Sequence, residues 1–128
     1  MKPLIIMVLF LILSPVIGYA RGYEAVKKVG DYEIEMRIDR NPIVLGDNHI
    51  EIEIKNGGKI VKDAKVLVNY YMPPMPRMVP MNFKTYAEPK GDKYRAKMNI
   101  IMTGPWIIVI KIYQGEKPIT TKLSVDAQ

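Results

Sequence analysis

The sequence has no cysteine and only one histidine, His49, and Ser124 is the only serine after residue 20. Nucleophilic catalysis usually places a serine or cysteine beside a histidine base, so nearly all of its components are missing. No glycine-rich phosphate-binding loop is present, and no basic stripe with interleaved aromatic residues indicates nucleic-acid binding. We therefore expect a non-enzymatic protein with neither a small-molecule substrate nor a nucleic-acid partner.

The N-terminal 20 residues have the pattern of a targeting segment. Lys2 precedes an unbroken apolar run from Leu4 to Leu13, and Gly18-Tyr19-Ala20 places small residues before a cleavage point. This predicts a secretory signal peptide at 1–20 and a domain at 21–128. The alternative is an uncleaved membrane anchor at 3–20, which is nearly as long as the roughly 20 apolar residues that a span needs. Either reading predicts an exported protein that is periplasmic or otherwise extracytoplasmic.

Short stretches that alternate between apolar and polar residues follow, separated by turn residues such as Asn56-Gly57-Gly58. This pattern is typical of half-buried antiparallel strands, and residues 106–113, apolar on both faces, suit a central strand. We predict an all-β antiparallel β-sandwich of about seven strands. The alternation also predicts a set of core residues, namely Ile50, Ile52, Ile54, Val66, Val68, Tyr94, Met98, Trp106, Ile108 and Ile110.

The most unusual stretch is residues 72–81, where Met72, Met75, Met78 and Met81 recur at every third position between four prolines. Proline excludes helix and central strand. A polyproline II helix has three residues per turn and would align the four thioethers on one face, with successive Cα atoms about 9 Å apart. Two neighbouring side chains would then meet at one ion, whereas four would require bends in the loop.

Thioether sulfur suits Cu(I), and it is also good packing material. One hypothesis is a soft-metal site for Cu(I) or Ag(I) formed by Met72, Met75, Met78 and Met81, with Met102 as a further candidate ligand. The plainer alternative is that one or two of these methionines plug the open end of the sandwich. A third is a docking surface for another protein, because methionine-rich surfaces adapt to their partners.

Two methionine-containing motifs carry a resemblance to a known family. Met72-Pro73-Pro74-Met75-Pro76-Arg77-Met78 resembles the MPxMP loop of the YtkA-like domain, whose relatives include FixH. Met102-Thr103-Gly104-Pro105-Trp106 resembles the MxGxW signature of the same family, and Gly91 to Tyr94 is a looser match to its GxY entry. The resemblance covers about residues 40–125.

This resemblance implies an exported immunoglobulin-like β-sandwich, often encoded near copper handling, heavy-metal efflux or terminal-oxidase assembly. It therefore implies that the partner is a membrane-bound metal transporter, an efflux protein or an oxidase-assembly protein. Family members often keep an N-terminal anchor, which favours the anchored alternative for residues 3–20.

Overall fold

A computed structural model describes residues 22–128, which form two antiparallel β-sheets packed face to face. The predicted signal peptide or anchor lies outside these residues. Within them there is no helix that is long and apolar enough to cross a membrane. The strands are β1 (Tyr23–Val29), β2 (Tyr32–Ile38), β3 (Gly46–Asn56), β4 (Lys59–Ile60), β5 (Lys65–Tyr71), β6 (Asn82–Tyr86), β7 (Glu88–Lys90), β8 (Lys93–Ile100), β9 (Gly104–Tyr113) and β10 (Ile119–Ala127).

One sheet has the order β1-β2-β3-β8-β7, with the short β4 added to β3, and the other has the order β10-β9-β5-β6. The prediction of an all-β sandwich is therefore confirmed. The count of about seven strands misses the shortest elements, since β4 has two residues and β7 has three. Pro89 lies in β7, at the edge of its sheet, where a missing backbone donor is tolerated.

The core lies between the two sheets and is built from alternate residues of the long strands. All ten core residues predicted from the sequence are buried, and Trp106 is fully inaccessible to solvent. Met36 and Met98 are likewise 0% exposed, so these two methionines are core residues. β9 lies between β10 and β5, so it is a central strand as predicted; its inward residues are buried, and Ile107 and Val109 on its other face are half-buried.

Several connections meet at one end of the sandwich, because Gly46 pairs with Ile100, Tyr71 with Ile107, and Gly104 with Ala127. We call this the loop end. It comprises residues 43–45, 72–81, 101–103 and 126–128. Two backbone contacts join the sheets here, a parallel bridge between Ile43 and Ala127 and a bond from the Gln128 N–H to the Ile43 oxygen at 2.9 Å.

At the opposite end, the buried Tyr94 joins β8 to the connection between β4 and β5. Its hydroxyl donates to the Val61 oxygen at 2.8 Å and accepts from the Ala64 N–H at 3.0 Å. A buried hydroxyl with both bonds satisfied stabilises the fold, whereas the backbone groups left without it would be costly. Tyr94 is therefore a core residue whose hydroxyl also hydrogen-bonds β8 to the connection between β4 and β5.

We predict that Tyr94→Phe lowers the free energy of unfolding by about 1–3 kcal/mol, because it leaves the Ala64 N–H and the Val61 oxygen without their partner. Chemical denaturation measures this value. The matched control is Tyr113→Phe, since Tyr113 is 39% exposed and solvent replaces its hydroxyl bonds. Equal stability of the two variants would contradict the assigned role of the Tyr94 hydroxyl.

Candidate soft-metal site on the Met/Pro hairpin

The Met/Pro stretch is the loop of a β-hairpin, since β5 and β6 are antiparallel and their last pair is Tyr71 with Asn82. The Met72 N–H donates to the Met81 oxygen at 3.2 Å and so continues the pairing into the loop. Further out, the Met78 N–H donates to the Met75 oxygen at 3.2 Å and closes a four-residue turn. We refer to residues 72–81 as the Met/Pro hairpin.

The turn at the tip has Pro76 in its second position and Arg77 in its third, and Arg77 has a positive φ of 67°. This is the arrangement of a type II turn, in which proline suits the second position and glycine usually fills the third. The chain therefore reverses direction between Met75 and Met78. The expectation of a straight polyproline II segment is therefore wrong, and the loop has the kind of bend that four ligands would require.

Because of this reversal the four methionines do not lie in a line along one face of the loop. They form two facing pairs across the hairpin, Met72 with Met81 at its base and Met75 with Met78 at its turn. All four line a single cleft of about 230 Å³. Every other residue that lines this cleft is also uncharged: Tyr71, Pro73, Pro74, Val79, Pro80 and Asn82.

The four side chains differ in how deeply they lie. Met72 is 7% exposed and belongs to the hydrophobic core, whereas Met75 and Met81 are half-buried and contact the core from outside. Met78 is also half-buried, at the end of the turn. The cleft therefore has one thioether at its floor and three nearer to solvent.

Met72 is seated against the first residue of β9. A Cβ atom on Gly104 would lie only 3.0 Å from the Met72 Cε, and Gly104 has a φ of +122° that other residues rarely adopt. Glycine is thus required here both for its backbone conformation and for the close approach of the Met72 methyl group. Next to it, the Trp106 indole N–H donates to the Met102 oxygen at 2.9 Å.

These two contacts give a physical reason for the spacing of Met102-Thr103-Gly104-Pro105-Trp106. The indole fixes the backbone of the connection between β8 and β9, and glycine leaves room for the hairpin. The Met102 side chain is half-buried and is not among those that line the cleft. The structure therefore groups four of the five candidate ligands and leaves Met102 to one side.

An aromatic cluster supports the base of the hairpin from inside the sandwich. The ring centroid of Tyr70 lies 5.4 Å from that of Phe83 and 6.0 Å from that of Trp106. The Tyr70 hydroxyl accepts a hydrogen bond from the Asn99 N–H at 3.2 Å, which joins this cluster to β8. Tilted aromatic pairs at such distances add stability beyond that from their buried area, so these rings stabilise the part of the sheet from which the hairpin extends.

Sequence reasoning missed the turn formed by Arg77 and three exposed aliphatic side chains at the loop end, Leu45, Val79 and Ile101. No sequence signal marks these three, because their exposure depends on how the connections meet. In residues 22–128 no group of three or more His, Cys, Asp or Glu side chains is placed to hold a metal ion.

Comparison with known proteins adds a family match to this geometry. The model of the YtkA-like family matches residues 26–111, which include both methionine motifs. A search of curated proteins finds no match. Among solved structures, a DUF4426 family protein from Pseudomonas aeruginosa PAO1 is similar, with 14% sequence identity and a TM-score of 0.52. That match covers 80% of this chain and 93% of the other, and it supports the sandwich fold.

The contact between Gly104 and Met72 leads to a stability prediction. Gly104→Ala should destabilise the protein by about 1–3 kcal/mol, because alanine strains the backbone and also presses on the Met72 methyl group. The matched control is Gly115→Ala, since Gly115 has a φ of +97° but open space around it. Thermal or chemical unfolding of both variants separates backbone strain from the contact. A loss no larger at Gly104 than at Gly115 would show that the hairpin is not held by this contact.

Proposed function

The chain belongs to the YtkA-like family, and we propose that its Met/Pro hairpin binds a soft monovalent metal ion, Cu(I) or Ag(I). The observation that carries the proposal is the grouping of Met72, Met75, Met78 and Met81 around one uncharged cleft. Four thioethers are a donor set that suits soft ions and poorly suits Zn(II), Mg(II) or Ca(II).

The charge of the cleft also favours a monovalent ion. None of its lining side chains carries a charge, so nothing in the lining would compensate the desolvation of a divalent cation. Thioethers bind without losing a proton, in contrast to thiols and imidazolium groups. Binding should therefore change little between about pH 5 and pH 7, where histidine sites lose affinity through protonation.

The hairpin is also held in place before an ion arrives. The two backbone hydrogen bonds across it and the contact of Met72 with Gly104 position its base and its turn. Prolines reduce the conformational freedom of the free loop, so less entropy is lost when the side chains close on an ion. The half-buried Met75, Met78 and Met81 remain accessible for transfer of the ion to a partner.

We infer an exported, non-enzymatic role in binding or delivering the ion during copper handling, metal efflux or oxidase assembly. A membrane-bound transporter, an efflux protein or an oxidase-assembly protein would exchange the ion with the hairpin. The family resemblance supports this setting, and the arrangement of the thioethers supports the chemistry.

Replacing Met75 and Met78 together by leucine tests the proposal, because it deletes two sulfurs while nearly conserving volume. The fold should survive, since such substitutions usually cost less than about 1.5 kcal/mol. We expect the wild type to compete with a colorimetric Cu(I) chelator, and we expect the double variant to compete at least about tenfold more weakly, which corresponds to about 1.4 kcal/mol.

The matched control replaces the two core methionines, Met36 and Met98, by leucine. Both are fully buried in the core and neither lines the cleft, so this variant removes the same number of sulfurs without changing the hairpin sequence. It should bind Cu(I) like the wild type. If wild type and Met75→Leu/Met78→Leu compete equally, or if neither competes, the metal proposal is wrong.

A second candidate function is docking of a partner protein into the same cleft without metal. The volume of about 230 Å³ favours it, because this is several times the roughly 30 Å³ that a water molecule occupies and leaves room for an apolar side chain. This function predicts no loss of Cu(I) competition in the double variant, so the same titration separates the two candidates.

A further inference from the structure

The loop end exposes three large aliphatic side chains. Val79 is 76% exposed, Ile101 55% and Leu45 52%. Leu45 immediately precedes Gly46 at the start of β3, and Ile101 immediately follows Ile100 at the end of β8. Because Gly46 and Ile100 are paired, the two side chains extend from neighbouring strands. Val79 stands in the Met/Pro hairpin, where Pro74, Pro76 and Pro80 are also exposed. Apart from Arg77, the exposed part of the hairpin is apolar, whereas Thr103, Asp126 and Gln128 are exposed elsewhere at the loop end.

Other exposed apolar residues are set in more polar surroundings. Val26 is 54% exposed but stands singly in β1, followed by Lys27 and Lys28. Ile60, Tyr86 and Tyr113 lie toward the opposite end, where Ile60 follows Lys59 and the Lys65 ammonium lies 4.9 Å from the centroid of the Tyr86 ring. The two tyrosines also carry a hydroxyl that water can satisfy. The loop end is thus the surface where exposed aliphatic side chains gather.

An arginine stands at the tip of this surface. Arg77 is exposed, and in residues 22–128 no carboxylate lies within salt-bridge distance of it. Its positive φ is one that glycine would adopt without cost, and residues kept in such conformations are often kept for function. Arginine binds phosphate groups through its planar fork of donors, so an anionic phosphate surface complements this position.

The described chain also begins at this end. Tyr23 at the start of β1 pairs with Ile38, which in turn pairs with Ile50 near the start of β3. Gly22 therefore enters the sandwich from the side of the loop end, and eight residues separate it from the apolar run from Leu4 to Leu13. If this run anchors the chain, the loop end is the part of the sandwich nearest to the bilayer.

We propose that the loop end rests on a lipid bilayer that contains anionic phospholipid. Val79, Leu45 and Ile101 enter the headgroup region, and Arg77 contacts lipid phosphates. Burying aliphatic side chains contributes favourable transfer free energy, and a basic residue beside an anionic surface adds to it. The cleft, whose lining includes Val79, then lies on the membrane side. The proposal does not depend on metal binding and is tested without metal.

The lack of cysteine in the chain makes single-cysteine labelling unambiguous. The full chain carrying Val79→Cys, labelled with the environment-sensitive fluorophore NBD, would be reconstituted into vesicles of phosphatidylcholine and phosphatidylglycerol that contain a lipid-bound quencher. The matched control is Tyr113→Cys, because Tyr113 is exposed and lies toward the opposite end of the sandwich. Both sites are exposed, so neither substitution disturbs the core.

We expect the label at position 79 to be quenched severalfold more strongly than the label at position 113. Equal quenching at the two positions would overturn the proposal and leave the exposed aliphatic residues to a protein partner. Arg77→Gly in the Val79→Cys chain removes the charge and suits the positive φ. Quenching at position 79 should then depend less on phosphatidylglycerol than in the Val79→Cys chain, and an unchanged dependence would contradict the role of Arg77.

Discussion

The contact between the Met72 methyl group and Gly104 is the constraint on which the candidate site depends. It fixes the base of the Met/Pro hairpin to the first residue of β9, in the sheet that contains both. Burial of a methionine side chain contributes about 1.5–3 kcal/mol, and the backbone bonds across the hairpin place Met81 opposite Met72 and Met78 opposite Met75. A larger residue at position 104 would move the floor of the cleft.

Two motifs that are far apart in the sequence therefore act as one structural unit. The hairpin supplies the thioethers, while the connection between β8 and β9 supplies the glycine surface and the Trp106 indole that anchors its own loop. Tyr70 and Phe83 join them through aromatic contacts with Trp106. The plainer hypothesis of methionines that fill the core describes Met72 well, whereas Met75, Met78 and Met81 are only half-buried and line the cleft.

The sequence pattern was sufficient to predict the β-sandwich, because alternation of the kind seen at Ile50, Ile52 and Ile54 shows which face of a strand is buried. It was insufficient for the hairpin. A repeat of methionine and proline favours an extended helix locally. Pro76 suits the second position of a turn, but Arg77 is an unusual residue for the positive φ that follows, so the sequence did not mark the reversal at Pro76-Arg77. The separation of Met102 from the cleft depends on tertiary packing, and spacing along the chain cannot encode it.

The central claim is that Met72, Met75, Met78 and Met81 bind one ion together. The most direct measurement is a titration with Ag(I) followed by NMR of ¹³C-labelled methionine methyl groups, assigned with single methionine-to-leucine variants. These four methyl signals should shift with one common midpoint, while those of Met36, Met98 and Met102 stay in place. Unchanged signals in the hairpin, or four unrelated midpoints, would contradict it.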